Sequence, residues 1–117
     1  MINARKLPCG ALRRHGAGQQ LLDAVLALAG NHGSAISHKQ RPWHSVTFSG
    51  TRHSFELVFS GEAAVLAGEA LIELLPEHEF TIPGNLVADA CVSSSKLTVV
   101  PEWRLDLAIE LLLLDDR

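Results

Sequence analysis

Histidine is the residue type that most invites a chemical interpretation of this sequence. The chain has six histidines, and four of them fall in one segment: His32, His38, His44 and His53. Imidazole nitrogens are common zinc ligands, so this density suggests a metal site. The spacing argues against one, because no pair has the i, i+4 helical spacing and no Cys-x-x-Cys motif is present. A hairpin turning at residues 50–51 would also hold His44 and His53 about 13 Å apart. The sequence therefore predicts separate histidines and no metal site.

The sequence also lacks recognisable catalytic motifs. Cys91 has no basic neighbour in sequence that would activate its thiol. The chain contains neither a Gly-x-Ser-x-Gly nucleophile motif nor a Gly-x-x-x-x-Gly-Lys-Ser/Thr phosphate loop. Asp89 could pair with Asp106 or Glu110 across a hairpin, but carboxylates on an exposed sheet face are common. The sequence favours a protein that is not an enzyme, with no catalytic residues and no cofactor.

A basic segment over residues 38–53 offers a binding function as the alternative. Its candidate ligand-binding residues are Lys39, Arg41, Trp43, His44, Arg52 and His53. Arginine and tryptophan stack on exposed bases, so RNA, single-stranded DNA or a small ligand could bind here. The chain as a whole carries a net charge of −3, which disfavours nucleic acid as a partner.

The composition is that of one globular domain. The 117 residues are 47% hydrophobic and 20% charged, and no window holds the roughly 18 uninterrupted apolar residues of a membrane span. Cys9 and Cys91 are isolated and form no disulfide framework. A reducing, cytoplasmic location without membrane association is the corresponding expectation.

The first 17 residues differ from the rest and predict a flexible basic arm before a single domain over residues 18–117. Four positive charges precede the first acid, Asp23, and they are Arg5, Lys6, Arg13 and Arg14. The segment also contains Pro8 and two glycines, Gly10 and Gly16, and has no apolar period. We expect it to be dispensable for folding.

The segment 104–114 determines the fold prediction. Its apolar side chains fall on alternate positions, namely Leu105, Leu107, Ile109, Leu111 and Leu113. Strict alternation is typical of a strand with one buried face. Leu, Ala and Glu also favour helices, and Pro101 could open one, so a helix is the alternative.

The other elements follow from their own periodicities. Residues 19–29 repeat apolar side chains at helical spacing, and residues 43–60 alternate as a hairpin that turns at Gly50 and Thr51. Ser60 is placed to cap a second helix over 61–75, and residues 86–100 form a strand that returns through Pro101. The element order α-ββ-α-ββ predicts an α+β fold with both helices on one face of a four-stranded antiparallel or mixed sheet. This order is a permuted ferredoxin-like arrangement, with the last strand in the middle of the sheet.

The apolar phase of each element defines the predicted core. Its members are Leu22, Val25, Leu26, Val46, Phe48, Phe55, Leu57, Leu71, Leu75, Leu107, Ile109 and Leu111.

The end of the last hairpin is the predicted contact surface. If residues 100–103 form the loop, Thr98 lies opposite Leu105, and the pairing turns polar towards the loop. Four apolar residues would then be exposed for a partner protein or a second copy: Leu97, Val99, Val100 and Trp103. A bulge at residues 93–95 is the alternative, because it would turn Leu97 and Val99 back into the same molecule. The sequence thus predicts self-association, with a homodimer as the commonest form, or docking on a partner protein.

Overall fold

The computed structural model describes residues 16–115 and has the predicted element order. Its helices are α1 (Ala17–Leu28) and α2 (Glu62–Leu74), and a short 3₁₀ helix follows at Leu75–Glu77. Its strands are β1 (Ser34–His44), β2 (Ser49–Ser60), β3 (Asn85–Thr98) and β4 (Arg104–Asp115). All neighbouring strands are antiparallel, in the order β1-β2-β4-β3, and both helices lie on one side of the sheet. The permuted ferredoxin-like prediction is confirmed.

The predicted basic arm falls almost wholly outside the described residues. Of residues 1–17, the structure describes only Gly16 and Ala17, and Ala17 is already the first residue of α1. Within residues 16–115, no helix has the length and apolar character needed to cross a membrane.

Strand β4 lies between β2 and β3 and is the most buried strand. All five alternate side chains named above are at most 2% exposed, and they face the helices. A central strand that is paired along both edges and covered on one face carries the clearest period-two pattern. The strand prediction for 104–114 is therefore confirmed and the helix alternative is wrong.

The helices cover this face with their own apolar stripes. Leu21 and Val25 of α1 and Val65 and Leu71 of α2 are fully buried in the same core. Gly68 sets how closely α2 approaches the sheet, because a Cβ there would lie 2.7 Å from the side chain of Leu105. Two layers of this kind bury one face of the sheet and leave the other face open.

The hairpin β1–β2 turns at a different place from the predicted one. The backbone N–H of Ser45 donates to the carbonyl of Phe48 at 2.8 Å, and the Phe48 N–H donates to the Ser45 hydroxyl at 3.2 Å. Val46 is therefore fully exposed and Phe48 is 53% exposed, so their assignment to the core is wrong. Gly50 lies inside β2, where a Cβ would collide with the backbone carbonyl of Leu113. A close approach between strands, and not a turn, requires this glycine.

The cap of α2 also differs from the prediction. Ser60 ends β2, and the N-cap of α2 is Gly61, whose φ of +96° lies in the left-handed region and which makes no side-chain capping bond. The Gly61 N–H donates to the carbonyl of Trp103 at 2.9 Å. This bond ties the loop of the β3–β4 hairpin to the start of α2.

Both outer strands are irregular. The pairing register shifts between Ala35 and Ser37 in β1, and it shifts twice in β3, at 87–89 and at 92–94. At the last of these bulges the Ser93 hydroxyl donates to the Ala108 carbonyl at 2.9 Å. Leu97 therefore pairs with Leu105, and the predicted register that placed Thr98 there is wrong. The bulge of the alternative prediction is therefore present, but Leu97 and Val99 remain 45% and 47% exposed, so the inward turn that it implied is wrong.

Candidate binding surfaces

The first candidate surface lies at the end of the β3–β4 hairpin and consists of Leu97, Val99, Val100 and Trp103, which we call the tip patch. The four side chains are between 39% and 80% exposed. The bulge at Ser93 brings Leu97 opposite Leu105 without burying it, so both sequence alternatives describe part of the result. Whether a partner uses the tip patch stays a prediction.

Two features hold the tip patch in place. The Gly61–Trp103 backbone bond fixes one side of the loop, and Thr98 pairs with Arg104 at its base. Arg104 also forms an ion pair with Asp106, with 2.9 Å between Nη2 and Oδ1, and two further bonds from Nε. Hydrogen bonding to Asp106 raises the pKa of Arg104. A charged ion pair thus directly follows the tip patch along the chain.

The second candidate surface is basic and lies on the open face of the sheet. Arg41 of β1 is directly opposite Arg52 of β2, and Lys39 is opposite Ser54. Together with Gln40 these residues line a shallow depression of about 250 Å³. Arg52 reaches Glu110, with 3.9 Å between Nη1 and Oε1. We call Lys39, Arg41 and Arg52 the basic patch.

The remaining residues of the predicted ligand site are distributed differently. Trp43 is opposite Gly50 and half-buried, on the same face as the basic patch. His44 ends β1 and is exposed. His53 lies on the helix side and is only 3% exposed. The structure therefore brings four of the six predicted residues to the open face and separates His53 from them.

His53 instead pairs with His38 beneath α1. Nε2 of His38 lies 3.0 Å from Nδ1 of His53, and since one of these nitrogens must donate, at least one ring is neutral. Burial, followed by the neighbouring His38, lowers the pKa of His53. Gly18 of α1 sits directly on the pair, because a Cβ there would lie 2.8 Å from the His53 ring. Within residues 16–115, no group of three or more His, Cys, Asp or Glu side chains could hold a metal ion.

Sequence reasoning missed the histidine pair because the predicted hairpin began at residue 43 and left His38 outside it. A usable signal was present, since His53 shares the alternate phase of Phe55, Leu57 and Phe59, which are buried. That phase placed His53 on the helix side whatever the position of the turn.

A third candidate surface is the outer face of α2. The sequence predicted the helix but not a surface of this kind on it. Leu66 is 61% exposed and Leu74 is 49% exposed. Between them along the helix lie Glu69, Ala70 and Glu73, which are all exposed. Their i, i+3 and i+4 spacing places them on one stripe, and Glu69, Ala70, Glu73 and Leu74 line a shallow depression of about 380 Å³. We call these five residues the α2 stripe.

The carboxylates considered for catalysis are not opposite one another. Asp89 pairs with Leu112, Asp106 pairs with Lys96, and Glu110 pairs with Cys91. Cys91 is an exposed, unpaired thiol.

Comparison with solved structures shows a likeness of fold. The chain is similar to a chain in the structure of the virion of a native gene transfer agent (GTA) particle, with a TM-score of 0.58 and 16% sequence identity. The match covers 84% of this chain and 91% of that chain. At this identity the likeness establishes a shared fold. No protein-family model and no curated protein matches the sequence.

Proposed function

We propose that this protein is a non-catalytic structural subunit that binds another protein subunit through the tip patch. The observation that carries the proposal is the exposure of four neighbouring apolar side chains at the end of one hairpin. Apolar residues that are exposed singly are normal on a protein surface, whereas a contiguous cluster that includes a tryptophan is typical of an interface.

The anchoring of the loop supports this role. Because the Gly61–Trp103 bond and the Thr98–Arg104 pair already hold the loop, binding would cost little additional conformational entropy. The structural neighbour is itself a chain of a virion particle, and a subunit of a multi-chain particle needs surfaces of this kind.

The smallest assembly in this proposal is a homodimer formed through the tip patch, and a different partner protein at the same patch is the other form. The unpaired Cys91 and the lack of a disulfide framework are the basis for placing the protein in the reducing cytoplasm.

The test replaces the two valines of the tip patch by serine, as Val99→Ser with Val100→Ser. Light scattering over a range of protein concentrations should show a smaller mass than for the wild type, with an unchanged melting temperature. Ile36→Ser is the matched control, because Ile36 is 60% exposed on β1, at the opposite edge of the sheet. A wild type that remains monomeric and a serine variant that still binds every partner of the wild type would together refute the proposal.

A further inference from the structure

The charges of this chain are segregated along its sequence. Between Asp23 and Glu56 there is no acid, and the cations are Lys39, Arg41 and Arg52. Between Arg52 and Lys96 there is no lysine or arginine, and the acids are Glu56, Glu62, Glu69, Glu73, Glu77, Glu79 and Asp89. The fold converts this segregation into two separate surfaces, the basic patch and the α2 stripe.

The basic patch has more positive charge than its own molecule balances. Arg41 and Arg52 are directly opposite each other, an arrangement of like charges that destabilises a strand pair. Among residues 16–115, the only carboxylate within ion-pair distance of the patch is Glu110, which contacts Arg52. The patch is therefore suited to an anionic group from outside the molecule.

Apolar side chains accompany both surfaces. Val46 and Phe48 are exposed in the turn that ends the β1–β2 hairpin, a few residues along the strands from Arg41. On α2, Leu66 and Leu74 flank the two glutamates. Each surface thus combines an exposed apolar pair with charges of one sign, and the signs are opposite.

We propose that the basic patch and the adjoining hairpin turn of one copy bind the α2 stripe of a second copy. The basic patch lies on the open face of the sheet, whereas α2 covers the other face. Two copies joined by one such contact therefore still have one free basic patch and one free α2 stripe. Such a head-to-tail contact repeats from copy to copy and gives a ring or an open chain. It uses neither Val99 nor Val100 and is separate from the tip patch.

A second copy fits the basic patch better than nucleic acid does. Glu56 and Glu110 lie on the same open face, so a continuous run of phosphates along the sheet would meet two carboxylates. A few carboxylates flanked by leucines match both the charge and the apolar turn.

Charge reversal on each surface tests the contact. Arg41→Glu and Glu73→Lys should each weaken self-association by about tenfold or more, because each variant opposes like charges. An equimolar mixture of the two variants should assemble again. In the mixture, the glutamate of Arg41→Glu can pair with the lysine of Glu73→Lys. The measurement is sedimentation velocity at low salt, repeated in about 0.5 M salt, where screening should weaken the wild-type assembly.

Two controls separate this contact from unfolding and from general charge effects. Arg41→Glu replaces a like-charged pair by an opposite pair, so its melting temperature should not fall. Asp23→Lys makes the same charge change as Glu73→Lys on an exposed position of α1 and should leave association unchanged.

The outcomes distinguish this contact from its alternatives. Loss of assembly in both single variants with recovery in the mixture supports it. A fluorescein-labelled single-stranded oligonucleotide that binds the wild type and Glu73→Lys but not Arg41→Glu would instead assign the patch to nucleic acid. A loss caused by Glu73→Lys alone would mean that Arg41 does not bind the stripe and would refute this contact. Assembly that resists salt and both reversals but is lost on substituting Val99 and Val100 would leave the tip patch as the contact and refute this one.

Discussion

The two hairpins of this domain are built alike and are held in different ways. Hairpin β3–β4 ends in a loop that a backbone bond from Gly61 ties to α2, and its second strand lies in the centre of the sheet. Hairpin β1–β2 ends in a turn closed only by its own Ser45 and Phe48, and its first strand is an edge strand exposed along most of its length. We infer that burial of the strands contributes more to the stability of a hairpin than the identity of its turn residues does.

The largest difference between the hairpins should appear in their contributions to stability. Ile109→Ala in β4 removes a fully buried side chain and leaves a cavity between β4 and the helices. We expect a loss of about 2–5 kcal/mol in the free energy of unfolding, measured by urea denaturation. A loss below about 0.5 kcal/mol would mean that β4 is not the central strand.

Gly50 tests where the two hairpins meet, because β2 pairs with β4 at this point. In Gly50→Ala the new Cβ would collide with the Leu113 carbonyl, so the strands must separate. We expect a loss of about 1–3 kcal/mol, measured by the same denaturation. Ser49→Ala is the neighbouring control and removes only an exposed hydrogen bond to Asp115. Equal stabilities for the two variants would contradict the close approach.

The histidine pair should make the anchoring of β1–β2 to α1 depend on pH. The pKa of His53 is lower in the folded state than its ordinary value of 6.5, so the unfolded chain binds a proton more readily than the folded one. The stability that comes from neutral His53 is present above about pH 6.5 and is lost as the pH falls towards the lowered pKa. Gly18 of α1 lies against the His53 ring, and Leu111 of β4 is paired with His53 across the strands. His38 of β1 is the titratable neighbour of the ring.

Unfolding free energies between pH 8 and pH 5 would measure this dependence. His53→Leu should flatten the decrease at low pH, whereas His44→Gln, at an exposed position, should leave it unchanged. The same slope in all three proteins would show that His53 does not control it.

The smallest effect is expected at the turn of β1–β2. Val46→Ser changes a fully exposed side chain, so the free energy of unfolding should stay within about 0.5 kcal/mol of the wild type. A loss above about 1 kcal/mol would mean that Val46 packs inside its own molecule, as the sequence pattern suggested, and would remove it from the proposed contact between copies.

The sequence predicted the parts of the fold in which one face of an element is buried. Alternation in β4 and helical spacing in α1 and α2 report burial directly, and element order then gave the sheet topology. Most of strand β1 was left outside the predicted hairpin, which began at residue 43, because an edge strand with both faces exposed has no apolar alternation. The error moved the turn from residues 45–48 to Gly50 and hid the pairing of His38 with His53.

The candidate surfaces were less predictable because they depend on register. A bulge at Ser93 shifts every pair beyond it, and no periodicity in the sequence reports the extra residue. The basic residues were recognised, but their faces were not, so His53 was grouped with Lys39 and Arg41. The second helix was predicted, whereas the exposure of Leu66 beside Glu69 and Glu73 follows only from how α2 is rotated on the sheet.

The bulges in β1 and β3 also affect the tendency of the protein to aggregate at high local concentration. A straight edge strand exposes a regular row of N–H and C=O groups that can recruit further strands and lead to amyloid-like stacking. Here both edges are interrupted by bulges, and β1 adds Pro42 and the charges of Lys39 and Arg41. These features disfavour the addition of a further strand at either edge, so close packing of copies favours contacts between side chains, which form and dissociate reversibly.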